Sequence, residues 1–150
     1  MRVKVKLLHP DAVLPCKAHE SDFCYDVVAT SCEEVAPNVW RYGTGLSYEI
    51  VRESEEFDFS DYNIAIDFRP RSSVWKTGMV LSNCEGTLDE GYRGEVMAVF
   101  YHVMPTMPRY DVGDRIGQVK LGFTLPMEFD IVAELSDSDR GVGGYGSTGR

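Results

Sequence analysis

The chain contains no run of about 18 apolar residues, so it offers no helical membrane span. Basic residues are scarce: 15 Lys and Arg face 24 Asp and Glu, for a formal net charge of -9. That balance excludes a broad electrostatic grip on a nucleic-acid polymer. A small anion is still possible, because it needs only a few Arg, Ser and backbone N–H groups brought together. No Cys-x-x-Cys occurs among Cys16, Cys24, Cys32 and Cys84. His9, His19 and His102 do not fall at metal-ligand spacing from them. The cysteines therefore read as free thiols in a reducing cytoplasm, with no zinc site or disulfide framework. The N-terminus, MRVKVKLLHPD, lacks the apolar region of a signal peptide. Internal repeats and linkers are missing too, and 150 residues suit one domain.

What is present is a period of two. In RVKVKLL, Val3, Val5 and Leu7 point one way and Arg2, Lys4 and Lys6 the other. NIAIDF places Ile64, Ile66 and Phe68 on one face. GEVMAVFYHV, residues 94–103, reads as a largely buried strand, and RIGQVKLGF and FDIVAEL supply further short strands. Turn signals such as Ala36-Pro37-Asn38, Gly43-Thr44-Gly45 and Met104-Pro105 separate them. Only SSVWKTG has the pattern of a single helical turn. The expected fold is all-β, a sandwich or barrel. RESEEFDFSDY, residues 52–62, is an acidic stretch expected to form a solvated loop, with Phe57 and Phe59 as possible anchors.

Four segments carry residues suited to chemistry. RPRSSVWKTG brings Arg69, Arg71, Ser72 and Ser73 to a possible helix start, which suits a phosphate; a capped helix with solvated arginines fits equally well. In SNCEGTLDEGYRGEV, Asn83 and Gly86 would let a hairpin backbone approach a flat ligand closely. Asp89 in that hairpin is either turn chemistry or a general base that activates water. VGDRIGQVKL sets Arg115 and Gln118 on one strand. The chain ends RGVGGYGSTGR, with glycine at 141, 143, 144, 146 and 149. Such a segment builds no core. It is either a free tail or a lid, in which Arg140 meets an anion and Tyr145 stacks on a planar base.

Taken together these segments resemble the trimeric dUTP diphosphatase (dUTPase) family, whose five motifs occur in order. AHESDFCYDVVA (18–29), PRSS (70–73), GTLDEGYRGEV (86–96), GDRIGQ (113–118) and RGVGGYGSTG (140–149) look like the first to the fifth. The resemblance implies a distorted jelly-roll or β-clip barrel over residues 1–139. Residues 140–150 would form a C-terminal arm closing over a neighbouring subunit's site. It implies a homotrimer with shared sites, acting on dUTP in the cytoplasm, or in a host cell's cytoplasm for a viral source. It further implies cleavage at the α-phosphorus to dUMP and pyrophosphate, with Mg²⁺ bridging the phosphates. By the same resemblance, Asp89 holds and deprotonates the attacking water and binds the 3′-hydroxyl. Arg71, Ser72, Ser73 and Gln118 bind phosphate oxygens, and Asp26 reaches the metal through water. Asn83, Gly86 and the backbone at Thr87 and Leu88 pair with uracil. Tyr92 lies against deoxyribose, with Met97 lining the same pocket. Tyr145 stacks on the base, Arg140 reaches the terminal phosphate, and Gly146 and Ser147 belong to the same closing arm.

The sequence also departs from the family pattern. Phe23-Cys24-Tyr25-Asp26 stands where the first motif usually has Ala-Gly-Tyr-Asp. Gly91 replaces an acid, and Gly117 replaces a common alanine. Both glycines resemble the related dCTP deaminases, which makes a deaminase or bifunctional enzyme one alternative. Against it, Val99 occupies the position of the deaminase glutamate, and valine cannot move protons. A non-catalytic dUTP-binding regulatory trimer is the other alternative.

Overall fold

The computed structural model describes residues 1–53 and 58–144. Ten strands and one short 3-10 helix make up its regular structure. The strands are β1 (Arg2–Leu7), β2 (Tyr25–Val28), β3 (Ser31–Ala36), β4 (Val39–Gly43) and β5 (Leu46–Val51), then β6 (Asn63–Arg69), β7 (Met79–Leu81), β8 (Gly86–Asp89), β9 (Met97–His102) and β10 (Arg115–Thr124). The helix, Ser72–Thr77, occupies the predicted turn and ends on Gly78 at φ 61°. All strand pairs are antiparallel. They form a β1-β5 pair and two four-stranded sheets, ordered β2-β10-β6-β8 and β3-β4-β9-β7. Apart from the β3-β4 hairpin, neighbours in both sheets come from distant parts of the chain, so the all-β expectation holds with a wound topology.

Alternation explains the core. Ile64, Ile66 and Phe68 are buried on one face of β6, as their period predicts, while Asn63 and Arg69 are exposed. Phe100 and Tyr42 are fully buried and meet edge-on at 5.8 Å, and Tyr110 joins them at 5.6 Å from Phe100. The Tyr42 hydroxyl donates to the Tyr110 carbonyl at 2.8 Å, which satisfies its buried polar tip. Burial pushes the Tyr42 and Tyr48 phenols well above their ordinary range.

Three strand expectations change. The run 94–103 is not buried on both faces: only Met97–His102 is strand, and its burial alternates, with Ala98, Phe100 and His102 inside. FDIVAEL is no strand at all in the single chain. Ile131 is fully exposed and Leu135 is 88% exposed. A strand needs a partner ladder, and this segment finds none among the described residues of its own chain. β2 to β5 and the short β7 and β8 also lie outside the runs that the two-residue period marks most clearly.

Gly117 has a local explanation. A Cβ there would collide with the tip of the Phe68 ring, which lies against that point of β10. Gly117→Ala should therefore destabilise the fold by about 1–3 kcal/mol, the usual cost of overpacking. The measurement is the midpoint of denaturant unfolding, with Phe68→Leu added as a second change. The leucine should recover part of the loss. An unchanged midpoint in the single variant would mean that Phe68 yields freely. No such demand exists at Gly91, where a Cβ would meet nothing within 4 Å.

Candidate active site

The first cluster forms around Asp26. Its carboxylate is 6% exposed and accepts three charged or polar donors. Arg71 Nε donates to Oδ1 at 3.1 Å, Gln118 Nε2 donates to Oδ1 at 3.0 Å, and Arg115 donates to Oδ2 at 3.0 Å. Three motif segments thus meet on one carboxylate. Arg71 comes from the turn before the 3-10 helix, Gln118 and Arg115 from β10, and Asp26 from the neighbouring β2. Ser72 and Ser73 follow Arg71 in the first helical turn. The Arg71 contact uses Nε, so it does not consume the two terminal nitrogens of that guanidinium. A buried carboxylate holding two guanidinium groups is compensated, and it locks the direction of both forks.

A β-bulge makes this cluster possible. Arg115 and Gln118 are three apart, which on a regular strand places them on opposite faces. The register slips between Arg115 and Gly117, so Arg115 opposes Val28 while Gln118 opposes Asp26. Val28 and Asp26 are two apart and share a face. Arg115 is the residue that sequence reasoning passed over as a surface charge.

The second cluster lies on β8 and the turns around it. Gly86, Thr87, Leu88 and Asp89 form that strand, edge-paired with β6. Asn83 sits in the preceding turn, and its amide nitrogen would lie 3.5 Å from a Cβ at Gly86. Asp89 is exposed, and its side chain makes no hydrogen bond among the described residues. It opens onto a concavity of about 620 Å³ shared with Thr87, Asp67, Lys120 and Phe123. Lys120 and Asp67 pair there at 2.6 Å, both about 15% exposed. Tyr92 donates its hydroxyl to the Glu95 carbonyl at 3.0 Å, and the hydroxyl end of its ring lies against Gly94, where a Cβ would displace it. Met97 is exposed at the start of β9.

The two clusters do not meet within one chain. Gln118 opposes Arg69 on β6, whereas Asp89 opposes Ala65. Both therefore stand on the same outward face, two strand steps and four residues apart. With ~4.8 Å between strands and ~3.4 Å per residue, that is about 17 Å. The arm is only partly within view. Arg140 is exposed and donates to the Gly143 carbonyl at 3.0 Å, while Tyr145, Gly146 and Ser147 lie outside the described residues.

The donor chemistry bears on Mg²⁺. Among the described residues no group of three or more His, Cys, Asp or Glu could hold a metal. Asp26 fits a lesser part: Oδ2 accepts one donor, which leaves it an acceptor position for a water.

A family model for dUTPase matches residues 11–149. The deoxyuridine 5′-triphosphate nucleotidohydrolase of Picosynechococcus sp. is 32% identical over 151 residues, with 99% of both chains covered. That of Thermobifida fusca is 35% identical, covering 99% of this chain and 79% of the relative. Among solved structures, the Staphylococcus bacteriophage 80alpha dUTPase with dUpNHpp aligns at TM-score 0.79 and 23% identity over 99% of both chains. A mutant dUTPase from phage phi11 of S. aureus, described with a structural Mg(II) ion, aligns at TM-score 0.69 and 19% identity over 91% of this chain and 100% of that one. These two structures show the fold, and the match to the family model over nearly the whole chain, with its sequence relatives, shows that the chain belongs to the dUTPase family.

Proposed function

We propose that this protein is a dUTP diphosphatase, hydrolysing dUTP to dUMP and pyrophosphate at sites shared between the subunits of a homotrimer. The observation that carries the reading is the pair of clusters on one sheet face. One is built for phosphate and the other for a base and a water. About 17 Å is too long for both to act on one triphosphate, because catalytic donors and bases work at about 3 Å. A second copy brings the phosphate cluster of one chain to the Asp89 of another. Two further features support assembly. The segment 125–139 leaves its alternate apolar residues in water, and an apolar groove of about 310 Å³ opens between β1 and β10, lined by Val3, Val5, Tyr48, Val119 and Leu121.

The chemistry follows from the chain's own groups. Asp89 accepts a proton from a water, whose oxygen bonds to the α-phosphorus. The bond to the bridging oxygen breaks, and pyrophosphate leaves with the electron pair. Arg71, Ser72, Ser73 and Gln118 hold phosphate oxygens, with Arg115 and Asp26 fixing the direction of Arg71 and Gln118. Fixed donors placed where charge develops lower the barrier without reorganising. Mg²⁺, when bound, neutralises the triphosphate, and Asp26 would reach it through a water. Asn83, Gly86 and the β8 backbone read the uracil edge. Cytosine presents a donor where uracil has an acceptor, so it would be mispaired, with discrimination of roughly 10⁴–10⁵. Tyr92, pinned over Gly94, crowds a 2′-hydroxyl, and Met97 lines the pocket. Arg140, Tyr145, Gly146 and Ser147 close over the nucleotide from a neighbouring chain.

The test is product analysis with dUTP, dCTP, dTTP and UTP, each with Mg²⁺. Pyrophosphate and dUMP from dUTP alone support the reading. Ammonia from dCTP would replace it with deamination, despite Val99. Binding of dUTP without turnover would favour a regulatory trimer. The arm has its own test, removal of residues 140–150. The lost base stack alone, about 1–3 kcal/mol, should slow turnover roughly 10- to 100-fold, and the loss of Arg140 should slow it further. Sedimentation should show the oligomer unchanged, and its dissociation would contradict a lid.

A further inference from the structure

The acidic segment after β5 is tied to the turn that carries Asp89, and a single side chain makes the tie. Arg52 follows the last residue of β5. Its Nε and one terminal nitrogen donate to the two oxygens of Glu90, each at 2.6 Å. The other terminal nitrogen donates to the carbonyls of Phe59 at 2.7 Å and Tyr62 at 2.9 Å. One planar fork therefore joins the strand end, the returning limb of the segment and the residue next to Asp89. The limb is held from a second side, where the Phe59 ring stacks on Phe123 at 5.8 Å. Phe123 lines the same concavity as Asp89. The Glu90 carbonyl is held as well, accepting from Arg93 at 2.6 Å. The Arg52 guanidinium also draws the Glu90 carboxyl below the usual carboxylate range.

Asp89 has no side-chain hydrogen bond of its own among the described residues, so its position is set by its backbone. That backbone is fixed on one side by the β6 ladder and beyond it by the Glu90 turn. Resting on the function proposed above, we infer that Arg52 is a positioning residue for the hydrolysis: acting through Glu90, it ties the Asp89 turn to the end of β5 and to the limb at 58–62. Charge alone does not meet this requirement. Three nitrogens in one plane are used, and a lysine offers one point charge on a flexible stem.

The test compares wild type, Arg52→Gln, Arg52→Lys, Glu90→Ala and the double variant Arg52→Gln/Glu90→Ala. Turnover of dUTP gives kcat and KM, and titration with dUpNHpp gives Kd. Misplacing a base by about 1 Å can cost about 10²-fold, so kcat should fall roughly 10- to 100-fold in Arg52→Gln. Kd should move by less than about threefold, because the Asp89 turn supplies only one of many contacts to the nucleotide. Arg52→Lys should recover little, and the double variant should be no slower than the worse single one. Should Arg52→Gln fail to fold, Glu90→Ala carries the test, since it leaves the Phe59 and Tyr62 carbonyls bound. Wild-type kcat in Arg52→Gln or in Glu90→Ala, or losses that add in the double, overturns the inference alone. A wild-type protein that turns over no dUTP overturns the proposed function and this inference with it.

Discussion

Asp89→Asn should bind dUpNHpp as the wild type does and turn over dUTP roughly 10²–10⁴-fold more slowly, the range for losing a general base. The structure makes this a clean substitution. Asp89 is exposed at the end of β8, and its side chain holds no partner among the described residues. Replacing one oxygen by an amide therefore breaks no contact of the fold, and the melting temperature should not drop. Asparagine can still hold a water but cannot take its proton. The effect should appear in kcat and leave the analogue's Kd nearly unchanged. Pyrophosphate release and calorimetric titration read the two quantities separately. Near-wild-type turnover in the variant would show that another group moves the proton.

A mixture of two inactive variants should regain activity. Asp89→Asn removes the base from one chain, and Arg71→Gln removes a phosphate donor from another. Were each site built within one chain, every site in any mixture would keep one of the two lesions. The distance of about 17 Å between Asp89 and Gln118 along the ladders is the ground for the shared site proposed above. In the proposed three-fold ring, each site would take Asp89 from one subunit and the phosphate cluster from its neighbour. Every mixed trimer then contains one site with both wild-type residues. Random exchange at equal amounts should restore about a quarter of the sites. The experiment unfolds and refolds the two variants together, with each refolded alone as control. Activity no greater than the sum of the controls would place the whole site in one chain and remove the main support for shared sites.

The relation between Arg71 and Asp26 makes the choice of variant matter. Arg71→Gln also withdraws one of three donors from a nearly buried carboxylate. Arg115 and Gln118 still hold it, so the charge stays compensated. Asp26→Ala would instead release both arginines, and a loss of activity there would not separate a positioning role from a folding one.

The sequence by itself determined the class of the fold and nominated most residues of the candidate site. The two-residue period of NIAIDF placed Ile64, Ile66 and Phe68 inside, and the structure buries all three. Five ordered motifs were enough to name Asp89, Arg71 and Gln118, because such motifs are local and their residue types state their chemistry. Tertiary structure decided how those residues relate. A one-residue bulge in β10 brings Arg115 onto the face of Gln118, against the spacing in the chain. Phe68, far from Gly117 in sequence, is what forbids a side chain there. The run FDIVAEL has the pattern of a strand and lies unpaired, because a pattern specifies a face and cannot supply the partner ladder. The described residues of the acidic segment do form an exposed loop anchored by Phe59, but only the folded chain shows Arg52 tying that loop to Glu90. Local chemistry is written along the chain, while distances between segments exist only after the sheets have paired.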